Sequence, residues 1–328
     1  MIPRSMTDAE ILERIPKLSA LIVGDICLDR WCRYDPALSE PSAETTLPRT
    51  AVVSVESTPG AAGTVANNLA ALRCGRVALL GAIGDDGHGW ELLRALHNRN
   101  ISTEYIYKSS AIPTFTYTKL INVETDIEDL PRIDYIPSAP PPPEVERHIL
   151  NTFQAIFDNF NLIYISDQAE TAQGGLVTEA LRRMVEEKAQ IYPDKIFLAD
   201  SRRRTSEFQR VILKPNQQEA EEASMKMLGT IDYPMLRRKL HAPILLVTKG
   251  KAGVSIYRPD CVQEVETIPV ENPVDICGAG DSFAAGFGTA LAVTKDPERA
   301  AEFGNRVASI TIMKKGTGTA SPDELLRR

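Results

Sequence analysis

Six short runs of aliphatic and β-branched residues, at 21–23, 77–83, 162–166, 196–200, 211–213 and 244–248, are apolar on consecutive positions and are separated by helix-patterned stretches. A strand covered by helices on both faces loses the polar alternation of a half-exposed strand, so these runs read as fully buried. Strands alternating with helices give parallel pairs joined by crossovers. The expected fold class is therefore α/β, with a doubly wound, mainly parallel sheet. A chain of 328 residues with 43% hydrophobic and 25% charged residues can bury one full core, so a single domain over residues 1–328 is expected. Two stretches break the rhythm. Residues 31–58 carry Pro and Ser, and within 103–123 Phe115 and Tyr117 alternate with threonines as in an exposed antiparallel strand. Both are expected in a small β-sheet lid inserted in the domain, and the proline run 140–143 reads as a stiff turn or spacer.

Charge and cysteine usage exclude several classes. The chain has 37 basic and 44 acidic residues, net −7, without a concentrated basic stripe, which argues against nucleic acid. Cys27, Cys32, Cys74, Cys261 and Cys277 are scattered, with no C-x-x-C pair and no His at metal-ligand spacing, and read as reduced thiols. The four histidines are isolated from any triad or metal pattern. Residues 1–17 lack the apolar segment of a leader, and no later run approaches the ~18 apolar residues of a membrane helix. The expectation is a soluble, cytoplasmic protein with no membrane partner.

The string richest in chemistry is Asp275-Ile276-Cys277-Gly278-Ala279-Gly280-Asp281, followed by a helix-patterned Ser282-Phe283-Ala284-Ala285-Gly286-Phe287. A Gly-Ala-Gly turn at a helix start leaves backbone N–H groups unobstructed at the positive end of the helix dipole, so Gly278, Ala279 and Gly280 make a candidate anion hole. Asp281, in the first helical turn, is placed to take a hydroxyl proton as a phosphoryl group transfers. Taken alone, Gly-Ala-Gly-Asp is more often a tight turn with a helix-capping Asp.

The whole string resembles the C-terminal signature D-x-[T/C]-G-A-G-D of the PfkB (ribokinase-like) carbohydrate kinase family, and other pieces fall in the family's order along nearly the whole chain. The resemblance implies a ribokinase-like fold, ATP with Mg²⁺ and Asp281 as the base. In Gly24-Asp25-Ile26-Cys27-Leu28-Asp29 it implies that Asp29 holds sugar hydroxyls, although both Asp25 and Asp29 also read as loop carboxylates. The run from Gly60 to Leu72 is similar to the N-terminal glycine signature, which implies substrate contacts at Gly60 and Thr64. It departs from that signature at Ala61, where the family usually has Gly, and at Thr64, where it has a sugar-contacting Asn. Lys214-Pro215-Asn216-Gln217-Gln218-Glu219 resembles the N-x-x-E motif, implying that Asn216 and Glu219 organise a hydrated Mg²⁺ and that Lys214 meets a phosphate. The same letters spell a helix capping box, and both readings hold together. Thr248-Lys249-Gly250-Lys251-Ala252-Gly253 resembles the T-x-G-x-x-G nucleotide loop through Thr248, Gly250 and Gly253, though a hairpin turn needs the same glycines. Asn305 stands where the family has an adenine-side contact, while a polar residue on a half-buried helix face is more often merely solvated. Asp275 with nearby carbonyls is implied to hold a monovalent cation such as K⁺.

Within the family, Gly24-Asp25 with Asp29-Arg30, Thr118-Lys119-Leu120, Arg132-Ile133-Asp134, Ser166-Asp167 and Gly316-Thr317-Gly318-Thr319 resemble the kinase half of heptose-7-phosphate kinases. The run 38–44, Gln168 after Ser-Asp and the lack of an attached nucleotidyltransferase half depart from that branch. The expected activity is phosphoryl transfer from ATP to a hydroxyl of a sugar or sugar phosphate, with Lys119 and Arg132 favouring a phosphorylated acceptor in a site that includes Arg132. Two alternatives stand beside it: a nucleoside kinase on the same fold, and a non-catalytic sugar or nucleotide sensor suggested by Ala61 and Thr64. Lids of this type pair between subunits, so the resemblance also implies a homodimer. Arg202-Arg203-Arg204 after Asp200 has the charge to touch nucleotide phosphates, yet a short basic run after a strand is more often a solvated loop, and that reading is preferred.

Overall fold

All six aliphatic runs are buried strands in the computed structural model, which describes residues 6–327. The expected domain of residues 1–328 therefore includes 1–5 and 328, which lie outside the described residues. Helix α1 (Asp8–Arg14), closed by a Thr7–Glu10 capping box, leads into strand β1 (Ser19–Gly24). Strands β2 (Ile26–Tyr34) and β3 (Val52–Ala61) then leave the core, and helix α2 (Ala62–Ala71) returns to it. Next come β4 (Arg76–Gly84), α3 (Gly87–His97), β5 (Ser102–Ser109), β6 (Thr116–Asn122), β7 (Ile133–Tyr135) and α4 (Pro143–Ile156). The proline run ends with Pro143 at the first helical position of α4, where a missing N–H breaks no helical bond. The middle of the chain gives β8 (Leu162–Asp167), α5 (Glu179–Ile191), β9 (Ile196–Ser201), β10 (Ile212–Leu213), α6 (Gln217–Leu228) and α7 (Tyr233–Lys239). It closes with β11 (Leu245–Thr248), β12 (Val254–Tyr257), β13 (Val262–Val265), α8 (Ala279–Thr294), α9 (Pro297–Thr311) and α10 (Pro322–Leu326).

Nine strands form the main sheet in the order β13-β12-β11-β10-β9-β8-β1-β4-β5. Every pairing from β11 to β5 is parallel, and β12 and β13 add an antiparallel edge. Each central strand feeds two cores. In β1, Ala20 and Ile22 pack with α8 residues Phe283 and Phe287, whereas Leu21 and Val23 join Phe153 of α4 and Leu181 of α5 on the opposite face. The fold is thus the doubly wound α/β class read from the sequence. Among the described residues no helix is long and apolar enough to cross a membrane.

The lid is a separate four-stranded sheet, β3-β2-β6-β7, in which β2 runs parallel to β6 and the other pairs are antiparallel. The expected lid segments 31–58 and 103–123 need correction. Residues 102–109 are β5, the parallel edge of the main sheet beside β4. Tyr105 and Ile106 lean on opposite cores, so this strand is a thinly covered edge of the main sheet and not part of the lid. The lid instead takes in residues 26–30 of β2 and the short β7.

Candidate active site

The carboxyl ends of β8 and β9, the starts of α2 and α8 and the inner side of the lid meet around a cavity of about 200 Å³. Asp29, Thr64, Arg132, Gly278 and Asp281 line it, so five residues singled out in the sequence from four separate segments come together. Crevices outside the carboxyl ends of parallel strands are the usual place for ligands in such sheets.

Gly278 opens α8 with φ +74°, and a Cβ there would lie 3.1 Å from Thr64 Cγ2, so both conformation and space call for glycine. The first N–H groups of a helix have no intrahelical acceptor. Of the expected three amides, that of Ala279 donates to the Ile276 carbonyl at 3.2 Å, which leaves Gly278 and Gly280. Asp281 is half-buried in the same turn. Burial and then the Asp200 carboxylate push its carboxyl up to about 7, against the pull of Lys214 and Arg202 and with a further push from Asp29. Lys214 is buried, pairs with Asp200 at 2.8 Å and lies beneath the turn, its Nζ 3.5 Å from where a Gly280 Cβ would stand. Although burial opposes its charge, Asp200 holds the Lys214 ammonium above its ordinary range. Tyr164 donates to Asp200 at 3.0 Å and completes this column under α8.

On the lid side, burial pushes Asp29 up to about 6, while Lys119 and Arg132 draw it down. The Cys27 thiol donates to Asp29 at 3.7 Å. Gly60 lies behind Asp29 and does not line the cavity: a Cβ there would come within 2.5 Å of both Asp29 Oδ2 and Cys27 Sγ. Ala61, which does line the cavity, has φ 52° and ψ −121°, a backbone that glycine adopts freely and alanine does not. The Thr64 hydroxyl donates to the Pro59 carbonyl at 3.3 Å. Arg132 pairs with Asp134 at 2.7 Å and stacks over the Tyr117 ring at 4.8 Å. Lys119 pairs with Glu128 at 3.8 Å and Arg30 with Glu91 at 3.4 Å.

The second group of sequence candidates lies along the ends of β10 and β11. Asn216 caps α6, accepting from the Glu219 amide at 2.9 Å, and Glu219 returns the bond at 2.8 Å. Burial and then Asp200 push Glu219 up to about 7. Thr248 bridges to Asn216, its amide donating to the Pro215 carbonyl at 3.0 Å. Gly250 and Gly253 form the turn of the β11–β12 hairpin with φ +57° and +86°, and a Gly253 Cβ would meet the Val265 carbonyl at 2.2 Å. Asn305 is buried and not solvated, and donates to the Glu266 carbonyl at 3.0 Å. Asp275 accepts from the amides of Cys277 at 2.9 Å and Gly316 at 3.1 Å, tying the turn before α8 to the loop after α9.

No group of three or more His, Cys, Asp or Glu among the described residues forms a metal cage. The donor set still suits a hydrated Mg²⁺: the Asp200 carboxylate raises the proton affinity of both Glu219 and Asp281, so carboxylate charge exceeds what Lys214 offsets. Sequence reasoning gave no site role to Arg30, Trp31 or Gln168 and set Arg202 aside as part of a solvated loop, yet all four line the cavity. The position of Arg202, two residues beyond the carboxyl-end Asp200 of β9, was the one available signal for it.

The sequence profile of the pfkB family carbohydrate kinases matches residues 21–324. The bifunctional protein HldE of Pelobacter propionicus is 28% identical over 328 residues, covering 96% of this chain and 64% of that protein. Its counterpart in Methylococcus capsulatus is 31% identical over 315 residues, covering 93% and 62%. The chain therefore spans less than two thirds of the length of these curated relatives. Among solved structures, phosphofructokinase-2 from Escherichia coli in complex with potassium gives a TM-score of 0.71 at 18% identity, covering 94% of this chain and 97% of that one. Ribokinase from Thermotoga maritima gives 0.68 at 19%, covering 94% and 98%. These two share the fold. The profile match reaches from β1 to α10 and takes in Asp29, Asn216, Glu219 and Asp281 together, so the chain belongs to the pfkB family of carbohydrate kinases.

Proposed function

We propose that the protein transfers the γ-phosphoryl group of ATP to a hydroxyl of a sugar phosphate of the heptose 7-phosphate type. The observation that carries this reading is one lid-covered cavity holding Asp29 and Asp281 among four cations, Arg30, Lys119, Arg132 and Arg202. Asp29 accepts hydrogen bonds from acceptor hydroxyls, and the lid cations take the acceptor's phosphate. Asp281, with its carboxyl near neutrality, is a stronger base than an ordinary aspartate yet ionised at mildly alkaline pH. It removes the hydroxyl proton as the phosphoryl group arrives, while the free amides of Gly278 and Gly280 and the start of α8 meet the charge on the phosphoryl oxygens. Lys214 supports that charge from below.

Thr248, Gly250 and Gly253 line the nucleotide path, with Asn305 toward the adenine. Asn216 and Glu219 would hold Mg²⁺ through water, and the ion would neutralise phosphate charge there. Asp275 keeps a lone pair on each oxygen beyond its two amide bonds, which fits a monovalent cation such as K⁺. ATP as donor locates the reaction in the cytoplasm. The reading includes a homodimer joined through the lid, whose outer strand β3 exposes Val52, Val53 and Val55.

The test is ADP release from MgATP across free sugars, sugar phosphates including heptose 7-phosphate, and nucleosides, run in K⁺ and again in tetramethylammonium, with Asp281→Asn as control. Turnover is expected with a phosphorylated acceptor, lower without K⁺ and lost in the variant. Turnover on nucleosides alone would reassign the acceptor, and ATP binding without turnover on any acceptor would replace the kinase with a sensor.

A further inference from the structure

Arg202 opens the loop after β9, its amide fixed to the Asp167 carbonyl at 3.0 Å. Its side chain lines the acceptor cavity with Asp281 and Gly278, and it also lines an adjoining recess with Glu219. Among the described residues it is the one side chain common to those two cavities, so it stands on the border between the acceptor and the N-x-x-E network. Arg30, Lys119 and Arg132 belong to the lid side, and Lys214 is buried against Asp200.

The guanidinium is held where it can be released. It donates to the Tyr117 hydroxyl at 3.0 Å and pairs closely with Glu170, whose carboxylate also accepts from Tyr117 at 2.8 Å. The arginine side chain is 44% exposed, so leaving that pair breaks no buried contact.

We propose that Arg202 is a catalytic residue whose guanidinium swings from Glu170 to bridge the oxygens of the γ-phosphoryl group as it crosses from nucleotide to acceptor. This rests on the kinase reading above. In the step, the acceptor O–H gives its proton to Asp281 and its oxygen bonds to the γ-phosphorus. The bond from that phosphorus to the β,γ-bridging oxygen breaks, and ADP departs with the electron pair. Arg202 exchanges no proton and supplies a planar fork of donors to the charge spread over the three equatorial oxygens. A lysine in its place offers a point charge without the fork. Tyr117 lies on lid strand β6, so the same hydroxyl that parks Arg202 reports the position of the lid.

The experiment starts from wild-type turnover on the acceptor found above, then compares Arg202→Ala and Arg202→Lys. For Arg202→Ala, kcat is expected to fall about 100- to 1,000-fold, with KM for ATP and acceptor held within about threefold. Added methylguanidinium restores part of the lost rate, which it cannot do for a residue that only shapes the loop. Arg202→Lys stays well below wild type. If Arg202→Ala melts early, Arg202→Gln, which can still bond Glu170 and Tyr117, carries the same expectation. A variant within a fewfold of wild-type kcat, or a loss confined to acceptor KM, overturns the proposal while the kinase reading stands. A wild type inactive on every acceptor overturns both.

Discussion

At the scale of single residues, Asp281 shows chemistry and stability pulling apart. Its carboxyl is raised from 3.8 to about 7, so the folded protein binds that proton more tightly than the unfolded chain does. The stability this contributes is complete below the usual carboxylate range and is lost as pH rises through about 7. Asp25 and Asp29, at about 6, and Glu219, at about 7, carry the same sign. Asp281→Asn should therefore lower kcat far more than it changes KM and should raise Tm by ~2–4 °C at pH 8. That gain should shrink at pH 5, where the native carboxyl is already neutral. Thermal scans of the two proteins at both pH values check this, and an unchanged or lower Tm at pH 8 would rule out the burial argument. Asp29, Thr64, Arg132 and Asp281 were legible in the sequence because each sits in a string whose spacing is distinctive. Arg202 was not, because an arginine after a strand looks the same in sequence whether it faces water or a cavity. Gly60, expected to contact substrate, instead leaves room for the Asp29 carboxylate, a role that appears only in three dimensions.

At the scale of elements, the start of α6 does two things with the same residues. Asn216→Ala removes the cap and should cost about 1 kcal/mol of stability along with activity. Asn216→Ser keeps a good cap, so it should recover the stability and not the turnover. Denaturant melts and initial rates on the same preparations separate the two roles, and full activity in the Ser variant would leave Asn216 as a cap alone. The six buried strands were readable because helices cover both of their faces. β5 was misread because the alternation at Phe115 and Tyr117, which belongs to β6 and the residue before it, was extended back over the neighbouring edge strand. The glycines of 248–253 carried two readings. The hairpin accounts for Gly253 through its approach to Val265, and the nucleotide role remains a proposal.

At the scale of the whole molecule, the lid is tied to the core by contacts far apart in sequence, which no local pattern reveals. Thr58 and Thr317 share a hydrogen bond of 3.1 Å, and Asp126, in the loop between β6 and β7, pairs with Lys315 at 2.6 Å. The doubly wound sheet was legible because it follows from the order of elements; this closure was not. The homodimer is tested at this scale: light scattering on a sizing column should give twice the chain mass, and Val53→Glu with Val55→Glu on β3 should give a folded monomer. A wild type that elutes as a monomer would remove the lid from that role. Ala61, the last residue of β3, leads directly into α2 with a backbone that strains alanine by about 1–3 kcal/mol. In the genetic code every alanine codon becomes a glycine codon by one change at its second base, so the joint between lid and core lies a single mutational step from relief.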